Sequence, residues 1–361
     1  MTTAIDMKME SQSSGENAVQ NCGPMSPGPL FVVGMWRSGT SLLYALLNQH
    51  PQIGLMYESD FFLLTTLFSL PRRNGTWIAK LDSWNGALTR HKIDTASLPG
   101  DVADMPGAFC AVAQQYAKKR GATVWGCKSP NYYDCMNKLA DWFVEAKFIV
   151  IWRDPADVCR SIMRAAESSP WFARPGTDLR ALLGYRRMKQ EADRLVRRGA
   201  AIHQLEYDDL VRDAMPALRA ICDFIGVPYD SRMNTLEGAD RSAIYDGAHH
   251  SLVNSAAIVR KREGPEVLSP QLRIKIERYV ALWRKQYDGK WPVNAVMREG
   301  TDPATWRERA WDSLRLAFLR SRDAMIPAMY SFVPTAAWQK YRRVKARHQQ
   351  AEARPRDGEV V

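Results

Sequence analysis

G-M-W-R-S-G-T-S, residues Gly34 to Ser41, stands between L-F-V-V at Leu30 to Val33 and L-L-Y-A-L-L at Leu42 to Leu47. An apolar β run, a glycine turn and a helix in that order build a cradle for a phosphate, because the amides at the helix start point at the anion. The loop that holds nucleoside triphosphates reads G-x-x-x-x-G-K-[ST]. Gly34 and Gly39 are in register with it, and Ser41 fills the hydroxyl position. Thr40 stands where the lysine belongs, and the nearest cation is Arg37, inside the loop. Without that lysine, the cation that spans the β and γ phosphates of a triphosphate is missing.

The same alternation of strand and helix continues outward from the loop. A strand is expected to end at Glu58, and V-W-G-C-K at Val124 to Lys128 reads as another, followed by a helix from Asn137 to Phe143. K-F-I-V-I-W-R at Lys147 to Arg153 is apolar between its charged ends, as in a strand covered on both faces of a parallel sheet. Pro155 suits a first helical turn and Asp154 its cap, in a helix through Ala166. Further helix is expected over Asp178 to Arg198, strand over Ala201 to Tyr207, and helix over Met215 to Ile225 with Gly226 as its C-cap. The fold class is therefore α/β: a P-loop-like, doubly wound parallel sheet flanked by helices. Residues 1–28 form a polar leader expected to be disordered, 29–296 the α/β domain, and 297–361 a basic, aromatic, helical C-terminal extension.

Composition narrows the class. The chain has 361 residues, 46% hydrophobic, enough for one large domain with an appendage. Its net charge of +11 suits a polyanionic ligand, an anionic membrane or nucleic acid. No nucleic-acid recognition motif appears, so nucleic acid is not expected as a partner. The cysteines, Cys22, Cys110, Cys127, Cys135, Cys159 and Cys222, are scattered without a C-x-x-C pair, which reads as free thiols in a reducing compartment. The leader lacks the apolar run of a secretory signal, and the expected location is cytoplasmic, with peripheral membrane contact as an option.

A site that hydrolyses triphosphates needs a magnesium-binding Asp beyond an apolar strand. Here Arg153 comes first after Phe148 to Trp152, wrong for a metal and right for a second phosphate. The loop thus asks for a ligand with separate phosphates and no metal. W-R-S-G-T-S-L-L resembles the 5′-phosphosulfate loop of sulfotransferases, which use 3′-phosphoadenosine 5′-phosphosulfate (PAPS). F-I-V-I-W-R-D-P-A-D-V-C-R-S, Phe148 to Ser161, resembles their 3′-phosphate motif. L-E-Y-D-D-L-V-R-D at Leu205 to Asp213 and I-C-D-F-I-G-V-P-Y at Ile221 to Tyr229 resemble a third block. The resemblance implies PAPS as donor, adenosine 3′,5′-bisphosphate (PAP) as product and no metal. It implies Arg37 at the transferring sulfonyl group, and Ser38, Gly39, Thr40 and Ser41 as the 5′-phosphate cradle. Arg153 and Ser161 match the pair on the 3′-phosphate, and Tyr207 a tyrosine near the adenine. Arg260 and Lys261, in R-K-R-E-G, match a late basic segment over the 3′-phosphate.

The base is where this chain departs from the cytosolic small-molecule branch. That branch has a histidine two residues after the lysine matched by Lys128; here Pro130 is there. K-S-P-N resembles instead the K-T-P of bacterial and protein-tyrosine sulfotransferases, which use a glutamate after an H-P signature. Q-H-P-Q-I-G-L-M-Y-E-S places Glu58 at that position, with Asp60 the next carboxylate. Glu58, Arg37 and Lys128 are thus the implied catalytic set. The acceptor is a hydroxyl on a sugar, lipid, phenol, peptide or small metabolite, met by loops within Tyr57 to Gly121 and Trp171 to Asp178. His249 and His250 read as substrate-loop or structural residues. The alternatives are an ATP-dependent P-loop kinase, or a non-catalytic nucleotide-sensing or membrane-docking protein.

Pro270 to Tyr287 reads as an amphipathic helix, and from Trp306 to Arg347 ten Lys or Arg stand against Glu308, Asp312 and Asp323. Pro327 and Pro334 are expected to break this stretch. It either packs on the α/β domain or a second subunit, burying Trp311 and Trp338, or lies on anionic lipid.

Overall fold

The computed structural model describes residues 28–62, 86–99, 105–244, 256–258, 268, 270–286 and 306–332. Among them, five parallel strands form one sheet: β1 (Leu30–Gly34), β2 (Ile53–Tyr57), β3 (Val124–Lys128), β4 (Lys147–Trp152) and β5 (Ile202–Glu206), in the order β2-β3-β1-β4-β5. After β1 the chain builds outward on one side to β2 and β3, then on the other to β4 and β5. The switch point therefore lies at β1, where an open α/β sheet binds its ligands beyond the carboxyl ends of the strands.

Both faces of the sheet are covered, as the apolar strands require. Phe31, Val33, Trp125, Cys127, Phe148, Val150 and Trp152 face one core. There they meet helices α3 (Met105–Lys119), α4 (Met136–Trp142), α5 (Pro155–Ala166) and α6 (Thr177–Arg197). Leu30, Val32, Leu55, Ile149, Ile151 and Leu205 face the other, against α1 (Thr40–Leu47), α7 (Tyr207–Arg212) and α8 (Ala214–Ile225). A four-residue helix, α2 (Ala87–Arg90), precedes α3. Asp154 caps α5 as expected: its Oδ1 accepts the amides of Ala156 at 2.8 Å and Asp157 at 3.2 Å.

Three details differ from expectation. β5 stops at Glu206 and Tyr207 opens α7, because its ring is buried against the loop rather than in the strand ladder. Cys110 is held in a disulfide whose partner lies outside the described residues, so the thiols are not all free; Cys127, Cys135, Cys159 and Cys222 are free and buried. Pro327 does not break the extension, since helix α10 runs from Trp306 to Phe332, and a proline removes one hydrogen bond without ending a helix that is otherwise supported.

Helices α9 (Pro270–Gln286) and α10 pack onto the body. Leu268, Leu272 and Ile276 share a small core with Cys159 and Leu182. Arg320 pairs with Asp134 at 2.7 Å, and Lys275 of α9 with Asp312 of α10 at 2.8 Å. Helix α10, the described part of the extension, is therefore docked on the α/β body, and Pro334 and Trp338 lie outside the described residues.

Candidate active site

The loop between β1 and α1 is held by backbone geometry that its sequence allows. Arg37 and Gly39 both take the left-handed region, at φ 66° and φ 94°. At Gly39 a Cβ would meet the Tyr207 ring at 2.4 Å, so the position requires glycine on two counts. The same absence of a side chain leaves α1 without a side-chain cap, and its first-turn amides stay available to an anion.

Two clusters flank this loop. On the β4 side, Arg153 follows the strand end, stacks over the Tyr207 ring at 4.5 Å and donates from Nη1 to the Arg37 carbonyl at 2.9 Å. Ser161 comes up from the second turn of α5, and its Oγ accepts from Arg37 Nε at 3.2 Å. Arg37, Arg153, Ser161 and Tyr207 are thus brought together across 124 residues of sequence separation between the outer two that touch. Two polar atoms here are buried without a hydrogen-bond partner: Ser38 Oγ and Arg153 Nε. Buried donors in that state fit an anionic guest and cost stability without one.

On the β3 side, Lys128 is fully buried at the strand end. Its ammonium donates to Glu58 Oε1 at 2.6 Å and to Ser41 Oγ at 3.2 Å, and lies 3.7 Å from the centre of the Tyr57 ring. Burial pulls its pKa below the usual lysine value, and the Glu58 charge works against that shift. The Tyr57 hydroxyl is 2.9 Å from Ser41 Oγ. Glu58 keeps 18% of its side chain exposed, so a solute can reach the carboxylate. Glu58 and Asp60 both have positive φ, 43° and 51°, a costly backbone state that concentrates at functional sites.

Lys128 and Ser41 meet on one side of the loop, and Arg37 and Ser161 on the other; Thr40 is buried at the start of α1. Arg260, Lys261, His249 and His250 lie outside the described residues, as do 63–85 and 100–104 of the expected acceptor region.

The structure adds surroundings that the sequence did not show, to Asp60, already the next carboxylate after Glu58, and to Trp171, the start of an expected acceptor loop. Asp60 is buried under Ser129 Oγ at 2.7 Å and Asn131 Nδ2 at 3.3 Å, and Asn131 Oδ1 in turn accepts from Trp36 Nε1 at 2.9 Å. Burial first, then the Glu58 charge, pushes its pKa up to about 6. His91 receives the Tyr57 amide on Nε2 at 2.9 Å, and burial lowers its pKa to about 4. Trp171 packs edge-on against Trp36, and Phe172 lies 5.9 Å from the Arg37 guanidinium. A Ser-Pro-Asn run after a strand could have pointed to Asn131, but nothing local marks His91 or Tyr57.

A family model described as "Sulfotransferase family" matches residues 29–231, more than half of the chain. The nodulation protein NoeE of Sinorhizobium fredii (strain NBRC 101917 / NGR234) is 30% identical over 140 residues, which are 38% of this chain and 32% of that protein. The chain thus aligns with about a third of that relative's length. Among solved structures, the sulfotransferase domain of the Synechococcus PCC 7002 olefin synthase is 21% identical, covering 71% of this chain and 97% of that one, with a TM-score of 0.45. The sulfotransferase domain from the curacin biosynthetic pathway is 17% identical over 71% of this chain and 98% of that one, with a TM-score of 0.46.

Proposed function

The chain belongs to the sulfotransferase family, and from that premise we propose that it transfers a sulfonyl group from PAPS to a hydroxyl acceptor, with Glu58 as the base. The observation that carries the proposal is the position of Lys128. One buried ammonium touches both the only partly covered carboxylate beside it and the hydroxyl of the phosphate loop. It therefore stands between the group that would take a proton and the group that would hold a leaving phosphate.

When bound, the donor supplies an activated sulfonyl on a phosphate leaving group. Glu58 accepts the proton of the acceptor hydroxyl as its oxygen closes on sulfur, and the electron pair of the broken S–O bond leaves on the phosphate. Charge in such a transfer spreads over oxygens, so positioning and preset electrostatics do most of the catalysis. Lys128 and the first-turn amides of α1 face the leaving side. Arg153 and Ser161 offer a second anion site, which suits a nucleotide with phosphates on both the 3′ and 5′ positions, and Arg37, whose Nε donates to Ser161 Oγ, links that site to the loop and is the cation for the transferring sulfonyl group. Ser38 Oγ and Arg153 Nε, both buried and unpartnered, fit such a guest. Tyr207, under Arg153, is the surface for the base ring.

The test is production of PAP from labelled PAPS in the presence of a chelator, on addition of an extract of the source cells. Label should move to an extract component. Transfer that requires Mg²⁺ and ATP in place of PAPS would refute the proposal.

A further inference from the structure

Helix α10 docks on the body by one side and carries a second side whose apolar residues are exposed among the described residues. Asp312 and Leu319 are buried, the first against Lys275 and the second against Gly176. Arg320 reaches Asp134, and Arg322 donates to the Pro175 carbonyl. Trp306, Trp311, Leu314 and Phe318 are 68%, 60%, 63% and 70% exposed. At about 100° per residue, Arg307, Trp311, Leu314 and Phe318 fall within an arc of about 60°, with Arg315 beside it. Arg307 lies over the Trp306 ring and Arg315 over Trp311, at 5.3 Å and 5.9 Å. The carboxylate positions of the helix, Glu308, Asp312 and Asp323, fall outside that arc. The expectation that docking on protein would bury Trp311 is therefore incorrect, because the helix is apolar on two sides and uses only one.

We propose that this exposed side of α10 docks on an anionic lipid surface. Aromatic and aliphatic side chains in a row, with Arg307 among them, Arg315 beside them and no carboxylate within the arc, match an interface of acyl chains beneath negative headgroups. A second copy of the chain fits less well. Such a copy would bring together two stripes that each carry Arg307 and Arg315, on chains whose net charge is already +11 each. The helix is seated on two segments that reach the site. The first holds Asp134 with Asn131, the second Pro175 and Gly176 with Trp171 and Phe172. Docking thus brings those segments close to the lipid surface, independently of how the site reacts.

Co-sedimentation with vesicles tests this, using the full chain, phosphatidylcholine alone, and phosphatidylcholine mixed with phosphatidylglycerol. The chain should pellet with the mixed vesicles only, and less as salt rises. Arg307→Gln with Arg315→Gln should weaken binding by about thirtyfold, and Trp311→Ser with Phe318→Ser should abolish it. All four positions are exposed, so melting temperature should be unchanged and serves as the folding control. Equal binding to neutral vesicles, binding kept by the Trp311→Ser, Phe318→Ser chain, or no binding at all would overturn the proposal. So would sedimentation velocity showing a dimer that the same variant makes monomeric.

Discussion

Glu58 sits in left-handed backbone beside a buried lysine, and both facts bear on its replacement. Glu58→Gln keeps the shape and removes the proposed base, so turnover should fall by about a hundredfold or more. PAP affinity should stay near the original, because Arg153, Ser161 and the loop are untouched; an unchanged turnover would transfer the role to another carboxylate. Asp60 is the nearest, but Ser129 and Asn131 hold it inside the protein. His91 gives a prediction about pH. It is buried neutral with a pKa of about 4, below the ordinary 6.5, so its contribution to stability is complete above pH 6.5 and is lost as pH falls toward 4. Asp60, raised to about 6, acts with the opposite sign in much the same window, because burying its charge destabilises the fold as pH rises. Urea titrations of wild type and His91→Gln should therefore differ most above pH 6.5, with the difference shrinking by about 3 kcal/mol by pH 4. A difference that stays constant with pH would mean that His91 is not held neutral.

The elements most legible in the sequence were those whose composition admits one environment. β4 is apolar on both faces and could only be a central strand; the G-x-x-x-x-G turn could only join a strand to a helix. Asp154 and Pro155 announced the start of α5, and the structure puts the Asp154 carboxylate on two amides. Asp154→Ala should cost about 1 kcal/mol, read as a drop in melting temperature of about 2–4 °C. Gly39→Ala should do more harm. Its Cβ would strike the Tyr207 ring, which supports Arg153, so both melting temperature and PAP affinity should fall, and calorimetry that finds PAP binding intact would break the link between loop and arginine. What could not be read was side-chain convergence over long separations. Trp36 reaches Asn131 across 95 residues, and Tyr57 reaches His91 across 34, with no periodicity or motif to signal either contact.

At the scale of the molecule, sheet order places the two segments proposed to hold phosphates at one switch point: the loop after β1 and the turn after β4 are neighbours only because β1 and β4 pair. That much of the site followed from reading the alternating pattern. The seating of α10 did not, since an amphipathic helix with two apolar sides gives a sequence no means of saying which side is inside. A chain ending at Thr305 loses the Arg320 partner of Asp134, a carboxylate whose pKa burial already raises. Its melting temperature should fall by several degrees, since breaking a buried pair costs about 3–5 kcal/mol; no change would mean that the body does not depend on α10. The central claim is a two-phosphate nucleotide held by the Arg37 loop and Arg153. Calorimetry of PAP and of adenosine 5′-monophosphate, in chelator, on wild type and Arg153→Ala tests it most directly. The account predicts that wild type prefers PAP, and that Arg153→Ala loses about a hundredfold or more in PAP affinity while the monophosphate is little changed. Equal losses for the two ligands, or no preference for PAP in the wild type, would contradict it.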